Sequence, residues 1–514
     1  MSQKKKVIVN SFFYIFSNLL VKAVGFLLLP LYTLFLDPDD FGIINIVNGF
    51  VQVAVFIVAF SLYSAAIRFY SEYKDDREEL KKFYGTIVSF LLVSGICFVL
   101  LGIIFKRELI EIVFNGISFY PYVLLSLIIL YFVTLQTMYQ NILQARQEGK
   151  KLTILNLITF GMTVLLKILF LVILKQGASG FLVSQLIVNI LYSLYMIIDL
   201  KKHGLFEFRI HSSMLRKALK YSIPIIPHNL STNIASLVSK VLINKAGQLI
   251  MVGLYGIAVQ FGMLIDVIQF SVNRAFQPWF FNMLSKKNSN RNSEILFLTK
   301  SLLSFYTVIY VVIGLFSQEL VILMTPDQFT DSWLVIPILA VGFSVKSIYY
   351  FYVNIVMYYR STAKKLFIAT IMGSLSDILF AYLLIPSYGM FGAACAFLIA
   401  KVIVVTATVL ISKTYNDIGY KVTEMLKIII PSFVFMGAGL YLSYTKYTRV
   451  ISIENVMFKV MVFILYLGYV YLQNRETIIK VIKSGDIKKM MKMNKKISND
   501  DRYKRREDEI DESQ

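Results

Sequence analysis

Charge is what this sequence has least of for its length. Only 16% of its 514 residues are Asp, Glu, Lys or Arg, against about 25% in a soluble domain. That deficit excludes an ordinary water-soluble globule, whose surface needs those residues. Cysteine is scarcer still. Cys97 and Cys395 are the whole complement, both inside apolar runs, so no disulfide framework is implied and each reads as a buried small hydrophobe. His203, His211 and His228 lack metal-ligand spacing. No phosphate-cradling glycine loop, dinucleotide fingerprint or catalytic motif is present. The expectation is therefore no cofactor, no metal, no catalytic residue and no ATP hydrolysis.

Hydrophobic length is what the chain has instead. It is 57% hydrophobic, with a mean hydropathy of +0.67. Apolar runs of about 20 residues recur from end to end, each long enough to cross about 30 Å of hydrocarbon as a helix. The first, Val7 to Leu36, is too long for a signal-peptide core and lacks a small-residue cleavage site, so it reads as a retained helix. A net charge of +21 would suit a nucleic-acid binder. At this hydropathy it reads instead as the basic loops of a membrane protein, and no nucleic-acid partner is expected.

Runs and breakers predict spans at 8–34, 42–64, 84–105, 119–140, 153–174, 181–198, 221–242, 251–272, 301–316, 333–357, 367–385, 392–411, 428–442 and 456–472. The fold class is an all-α polytopic membrane protein with 14 transmembrane helices. Of the 52 Lys and Arg residues, the N-terminus, alternate connections and the tail from Arg475 hold 40, while the opposite connections hold 6. That asymmetry puts both termini in the cytoplasm of a cell-membrane protein. The far-side connections are short; the longest, around "SQELVILMTPDQFTDS", houses no extracytoplasmic domain.

The chain also repeats itself. "ARQEGKKL" (145–152) matches "YRSTAKKL" (359–366) at an offset of 214; "QGASGFL" (176–182) matches "YGMFGAA" (388–394) at 212; "FGIINI" (41–46) matches "VGLYGI" (252–257) at 211. The shared offset implies two six-helix bundles related by a pseudo-two-fold along the membrane normal, an alternating-access arrangement with a cavity between halves. The expected organisation is an N-terminal bundle at 1–200, a cytoplasmic linker at 201–220, a C-terminal bundle at 221–411, two further helices at 412–472 and a charged cytoplasmic tail at 473–514.

Six lysines fall within spans. Lys459 is near enough to a helix end to snorkel to the interface. Lys22, Lys167, Lys240, Lys346 and Lys401 are not, and an ammonium at bilayer depth costs roughly 2.5–3.5 kcal/mol. The well-buried acids, Asp266 and Asp377, are too few to neutralise five lysines; each would bind H⁺ or Na⁺ or, the favoured reading, salt-bridge a lysine. Polar residues share helix faces: Asn18 with Lys22; Asn45, Asn48 and Gln52; Gln185, Asn189 and Ser193; Asn229, Asn233, Ser236 and Lys240; Lys346 with Asn354; Ser374 with Asp377. Such stripes face protein or water. One alternative is interhelical glue at ~0.6 kcal/mol per residue, with scattered lysine–aspartate pairs. A hydrated cationic cavity relieves the cost more fully and would attract an anion. Pro30, and Pro224 with Pro227, interrupt the matching first helices of the two halves and suggest gates. Arg274, Trp279, Phe280 and Phe281 fit an interfacial belt, and the basic part of the tail fits anionic headgroups.

The pattern resembles the polysaccharide, or O-antigen-type, flippases of the multidrug/oligosaccharidyl-lipid/polysaccharide exporter superfamily. The resemblance rests on the duplicated half and on "LLLPLYTLFLDPDDFGIINI" (27–46), "SAAIRFY" (64–70), "MVGLYGIA" (251–258) and "NRAFQPWF" (273–280) in order. It implies movement of a polyprenyl-pyrophosphate-linked oligosaccharide from the cytoplasmic to the outer leaflet, with membrane lipids and polysaccharide-assembly proteins as further partners. It also implies a cationic lumen. Lys22, Lys167, Lys240, Lys346 and Lys401 would face it, with Arg68 at its cytoplasmic mouth and Asn48 and Asn233 completing the substrate-binding set. The alternative is an H⁺- or Na⁺-coupled antiporter for drugs or small molecules. A polysaccharide-building membrane enzyme is disfavoured by the short outer connections.

Overall fold

The computed structural model describes residues 25–231, 233–247, 249–285, 290–363 and 365–484. Lys22, Asn18 and Ser11, and the tail from 485, lie outside the described residues. Local chemistry sets where helices begin. The acidic turn after the first apolar run is a cap: Asp37 Oδ1 accepts the Asp40 amide at 2.8 Å, Pro38 takes the first helical position and Asp39 and Asp40 fill the first turn of Pro38–Val58. Each device satisfies a free amide or complements the positive helix end. Asp76 does the same for Arg77–Ile104, accepting the Glu78 and Glu79 amides at 3.0 and 3.1 Å.

Eleven helices among the described residues are long and apolar enough to cross a membrane, and the chain is a multi-pass membrane protein. Large apolar side chains such as Leu165 (68% exposed) and Ile198 (64%) point outward, where only lipid suits them. One of the eleven, Leu366–Tyr415, doubles back at Gly389 (φ 52°, ψ −127°), a conformation open to glycine alone. Gly373 then rests on Val404 and Ala400, and Gly392 on the Leu384 carbonyl, which makes two antiparallel legs. The expected span 221–242 is instead a 3₁₀ turn (Ile223–Ile225) and two helices, Ile226–Ser231 and Ile234–Lys245. Pro224 and Pro227 remove the amides a continuous helix would need.

The matched segments meet. Pro38–Val58 crosses Leu249–Ser285 at a seam of small residues. A Cβ on Gly42 would come 2.5 Å from Leu249 O, one on Gly253 would overlap Pro38 O, and one on Gly256 would overlap the Asn45 amide. At the offset of 211, Gly253 corresponds to Gly42, Leu249 to Pro38 and Gly256 to Asn45. The contact is therefore reciprocal, as across a two-fold axis. Gly177 and Gly389, matched at 212, both have positive φ (55° and 52°).

One end of the molecule closes around this seam. Phe41 meets Phe329 edge-on at 5.3 Å, Gln328 Nε2 donates to Leu36 O (3.3 Å) and Asn244 Nδ2 to Asn115 O (2.6 Å). A single apolar core runs through both parts of the chain here, from Leu29 to Tyr466. Toward the other end, the first part keeps its own core, built on Phe83, Tyr84, Tyr139 and Leu143. Links there are both apolar and polar: Ala218 is buried in that core, Tyr221 meets Phe69 edge-on at 5.6 Å, Lys217 Nζ lies 2.7 Å from Glu72 Oε2 and Asn229 Nδ2 donates to Tyr63 OH at 3.2 Å. Lys217 lies on Ser212–Ser222, a helix inside the expected linker.

Four expectations change. The far-side connection near residue 320 is not a loop: Ser317–Met324 and Asp327–Val335 are helical, and Phe329 and Trp333 are fully buried. This places Glu319 under Lys459, which does not snorkel. Its ammonium is wholly buried, 2.7 and 2.8 Å from the Glu319 oxygens and 3.2 Å from Gln318 Oε1. Cys97 is exposed on the outer face of its helix rather than buried. The expected belt at 274–281 is part of Leu249–Ser285, which stays helical through Pro278 and buries Phe276 and Phe280.

Candidate functional site

Beyond the seam, two lobes open on either side of Leu249–Ser285; Met263 and Val267 line both. Asp266 stands ten residues past Gly256, about 15 Å along the helix axis. The lobes therefore lie well inside the span, on the side away from the closed end.

The second-half lobe has a volume of about 600 Å³ and is charged. Asp266, Phe270 and Arg274 follow one another at four-residue spacing, which puts them on one helical face; all three line the lobe. Lys346, on Ile336–Tyr358, gives Asp266 Oδ1 a 2.6 Å ion pair, and Tyr350 OH donates to the same oxygen at 3.0 Å. Asp377 and Lys401 come from the two legs of the helix that reverses at Gly389. Lys401 Nζ lies 4.5 Å over the Phe397 ring and the Arg274 guanidinium 4.6 Å over Phe270. Neither cation has an ion-pair partner among the described residues. Asp377 Oδ1 is sealed from solvent and has no hydrogen-bond partner among the described residues. Three cations thus face two carboxylates, and one pair is already closed.

The first-half lobe is larger, about 970 Å³, and among the described residues its one charged lining residue is Lys167. That ammonium sits between aromatic faces, 3.5 Å from the Phe181 centroid and 4.7 Å from Tyr32, a cation–π arrangement. The rest of the polar lining is amide and hydroxyl, including Asn48, Gln136, Gln140, Gln185 and Asn189.

Of the residues singled out by sequence, Lys346, Lys401, Asp266 and Asp377 come together in one lobe, and Lys167 and Asn48 line the other. Lys240 lies at the seam instead, its Nζ 3.4 Å from Asn45 O. Asn233 marks the helix break before Ile234–Lys245. Arg68 is exposed and paired with Glu72 at 3.3 Å. Sequence reasoning missed Arg274 and Tyr350. The four-residue spacing of Asp266, Phe270 and Arg274 was the available signal. Among the described residues no three of His, Cys, Asp and Glu cluster as a metal-ligand set.

The helical fold that holds this seam and these lobes is shared with solved structures. The chain superposes on "Lipid II flippase MurJ, inward closed conformation" with a TM-score of 0.66, at 18% identity, covering 92% of this chain and 100% of that one. It superposes on an inward-facing multidrug resistance MATE family transporter of the MOP superfamily with a TM-score of 0.63, at 15% identity, covering 80% and 95%. These likenesses show the fold. Residues 7–284 match the profile of the polysaccharide biosynthesis protein family, and the chain belongs to that family. It is also 25% identical over 292 residues to Lsg locus protein 1 of Haemophilus influenzae, covering 55% of this chain and 68% of that protein.

Proposed function

We propose that this chain is a flippase that carries a polyprenyl-pyrophosphate-linked oligosaccharide from the cytoplasmic to the outer leaflet for surface polysaccharide assembly, with no chemical step of its own. On this reading the chain crosses the membrane 14 times. The count adds to the 11 long helices a second leg for the helix reversed at Gly389, the span ending at Phe35 and the broken span 223–245. Residues 1–200 and 221–411 form the two six-helix halves, the last two helices are an appendage, and both termini face the cytoplasm. The closed end is then the outer face, and the lobes are reached from inside.

The observation that carries the reading is the pair of cations Arg274 and Lys401. Among the described residues neither has a carboxylate within ion-pair distance, although Asp377 lines the same lobe, while Lys346 is neutralised by Asp266. Unpaired charge within a membrane protein costs several kcal/mol unless water or a counter-ion meets it, and a pyrophosphate would supply that counter-ion through charge-assisted hydrogen bonds. The prenyl tail would stay in lipid while the halves rock about the seam. The test is a flipping assay in proteoliposomes with a lipid-linked oligosaccharide. Arg274→Ala together with Lys401→Ala is expected to lower transport by about tenfold or more; full retention would remove the phosphate role.

One observation favours a second reading. The unpartnered Asp377 carboxylate suits an H⁺- or Na⁺-coupled antiporter. Ligand-driven ion flux in vesicles free of glycolipid would select it.

A further inference from the structure

We infer that the first-half lobe is a binding subsite for uncharged sugars, distinct from the charged lobe. This rests on the proposed function and divides its substrate between the two halves.

The argument begins with residues in matching positions. At the offset of 212, Asn189 stands where the second half has Lys401. At 214, Thr163 stands where it has Asp377, Asn156 where it has Thr370 and Gln136 where it has Tyr350. All eight line a lobe. Equivalent backbone positions thus reach both lobes, but with charge in one and neutral polar groups in the other. The difference lies in side-chain chemistry placed on a common frame.

Those neutral groups suit sugar hydroxyls. A carboxamide both donates and accepts from one planar group, and a pair of vicinal hydroxyls does the same. Four helices of the first half contribute amides, Asn48 from Pro38–Val58, Gln136 and Gln140 from Leu124–Ala145, Asn156 from Gly149–Lys167, and Gln185 and Asn189 from Gly177–Lys202, and Leu249–Ser285 adds Gln260. Gln140 Nε2 donates to Asn156 Oδ1 at 3.2 Å, which fixes the orientation of both. Gln185 lines the lobe, although its Oε1 is itself sealed and has no hydrogen-bond partner among the described residues. Tyr32, Phe160 and Phe181 add flat apolar faces, and the two rings beside Lys167 hold its charge against their own surfaces. Amides spent only on joining helices would be partnered across the helix contacts; here they converge on a cavity. The lobe is also the larger of the two, as the bulkier part of the substrate requires.

The experiment uses the full chain in lipid nanodiscs and two probes. One is undecaprenyl pyrophosphate, which has no sugar. The other is the lipid-linked oligosaccharide extracted from cells that lack this protein. The unsubstituted chain is expected to bind the second about tenfold or more tighter than the first, since each satisfied buried hydrogen bond contributes a several-fold gain. Gln185→Leu and Asn189→Leu are expected to remove most of that gain and leave binding of undecaprenyl pyrophosphate within about twofold, whereas Lys401→Gln weakens both probes. Gln185→Met, which keeps the side-chain length without adding a charge, guards against a folding defect, and a melting curve accompanies each variant. Equal affinity of the unsubstituted chain for the two probes overturns the sugar subsite alone. So does equal weakening of both probes by the Gln185 and Asn189 variants. Failure of the unsubstituted chain to bind either probe overturns the proposed function together with this inference.

Discussion

If the seam between Pro38–Val58 and Leu249–Ser285 opens during transport, then filling it selects against the closed state described here. Gly253→Ala is the sharpest probe. The new methyl would land on the carbonyl oxygen of Pro38, a backbone atom that cannot rotate aside. Overpacking of this kind costs about 1–3 kcal/mol. That cost falls only on the state with the seam shut, so it shifts the balance between states by about 5- to 150-fold. Gly256→Ala meets the Asn45 side chain instead, which has rotamers to yield, and its effect is expected to be smaller. Gly437→Ala is the control, because nothing lies within 4 Å of its Cβ position and alanine gains about 1 kcal/mol in a helix interior. Spin labels at Lys175→Cys and Leu323→Cys, in a background lacking Cys97 and Cys395, report the separation of the two halves near the closed end by pulsed electron resonance. Gly253→Ala is expected to populate longer distances that the parent and Gly437→Ala lack, with Gly256→Ala between them. A distance distribution and transport rate for Gly253→Ala identical to the parent's would refute a tight seam that moves.

Four other outcomes follow from the same coordinates. Lys459→Met leaves Glu319 buried and unpaired, which costs about 3–5 kcal/mol; the melting temperature should drop, and Lys459→Met with Glu319→Leu should restore most of it. Gly389→Ala places a side chain at φ 52° and ψ −127° and should cost about 1–3 kcal/mol, again read by melting. Asp266→Asn frees Lys346 from its 2.6 Å partner; if the lobe binds phosphate, affinity for pyrophosphate should rise while thermal stability falls, and a fall in both would count against that role. The hydrogen bond from Lys217 holds the Glu72 carboxyl below its ordinary value of 4.5. A depressed carboxylate gives stability above its unfolded value and loses it as pH falls, so the amide protection factors in Ser212–Ser222, taken against the intrinsic exchange rate at each pH, should fall as pH drops below about 4.5, and Glu72→Gln should already show the lowered protection at pH 7.

Hydropathy made the membrane class and most helices legible, because burial in lipid requires long apolar runs whatever the tertiary contacts. The repeat was legible as spacing, and Gly42 with Gly253 could be paired on paper. That they sit on each other's helices was not, since a matched pair says nothing about which faces meet. One omission and one error concern charge near the end of an apolar run. Arg274 was assigned to a belt and not to the site, and Glu319 fell into a connection. In the structure Arg274 is the next step on the face of Asp266 and Phe270, and Glu319 lies on a short helix folded under Lys459. Charge in a membrane protein marks a face turned away from lipid as often as it marks an end. Periodicity at four residues distinguishes the two, and it was present in the sequence.

Of the five lysines first grouped as one set, the four among the described residues have different fates, and position in the repeat explains much of the difference. Lys401 replaces Asn189 on an equivalent helix and reaches the equivalent lobe. Lys346 occupies the position of Phe132 at the offset of 214 and is matched by an aspartate on the neighbouring helix. Lys167 corresponds to Ala381 and is held by aromatic faces on its own side. Lys240 has been drawn to the seam, where it meets a backbone carbonyl. A duplicated frame supplies equivalent places for side chains, and each half has filled them with different chemistry. If the two halves served identical roles, their lining would be free to stay alike; the concentration of charge in one and of amides in the other is the reason to assign phosphate and sugar to separate lobes.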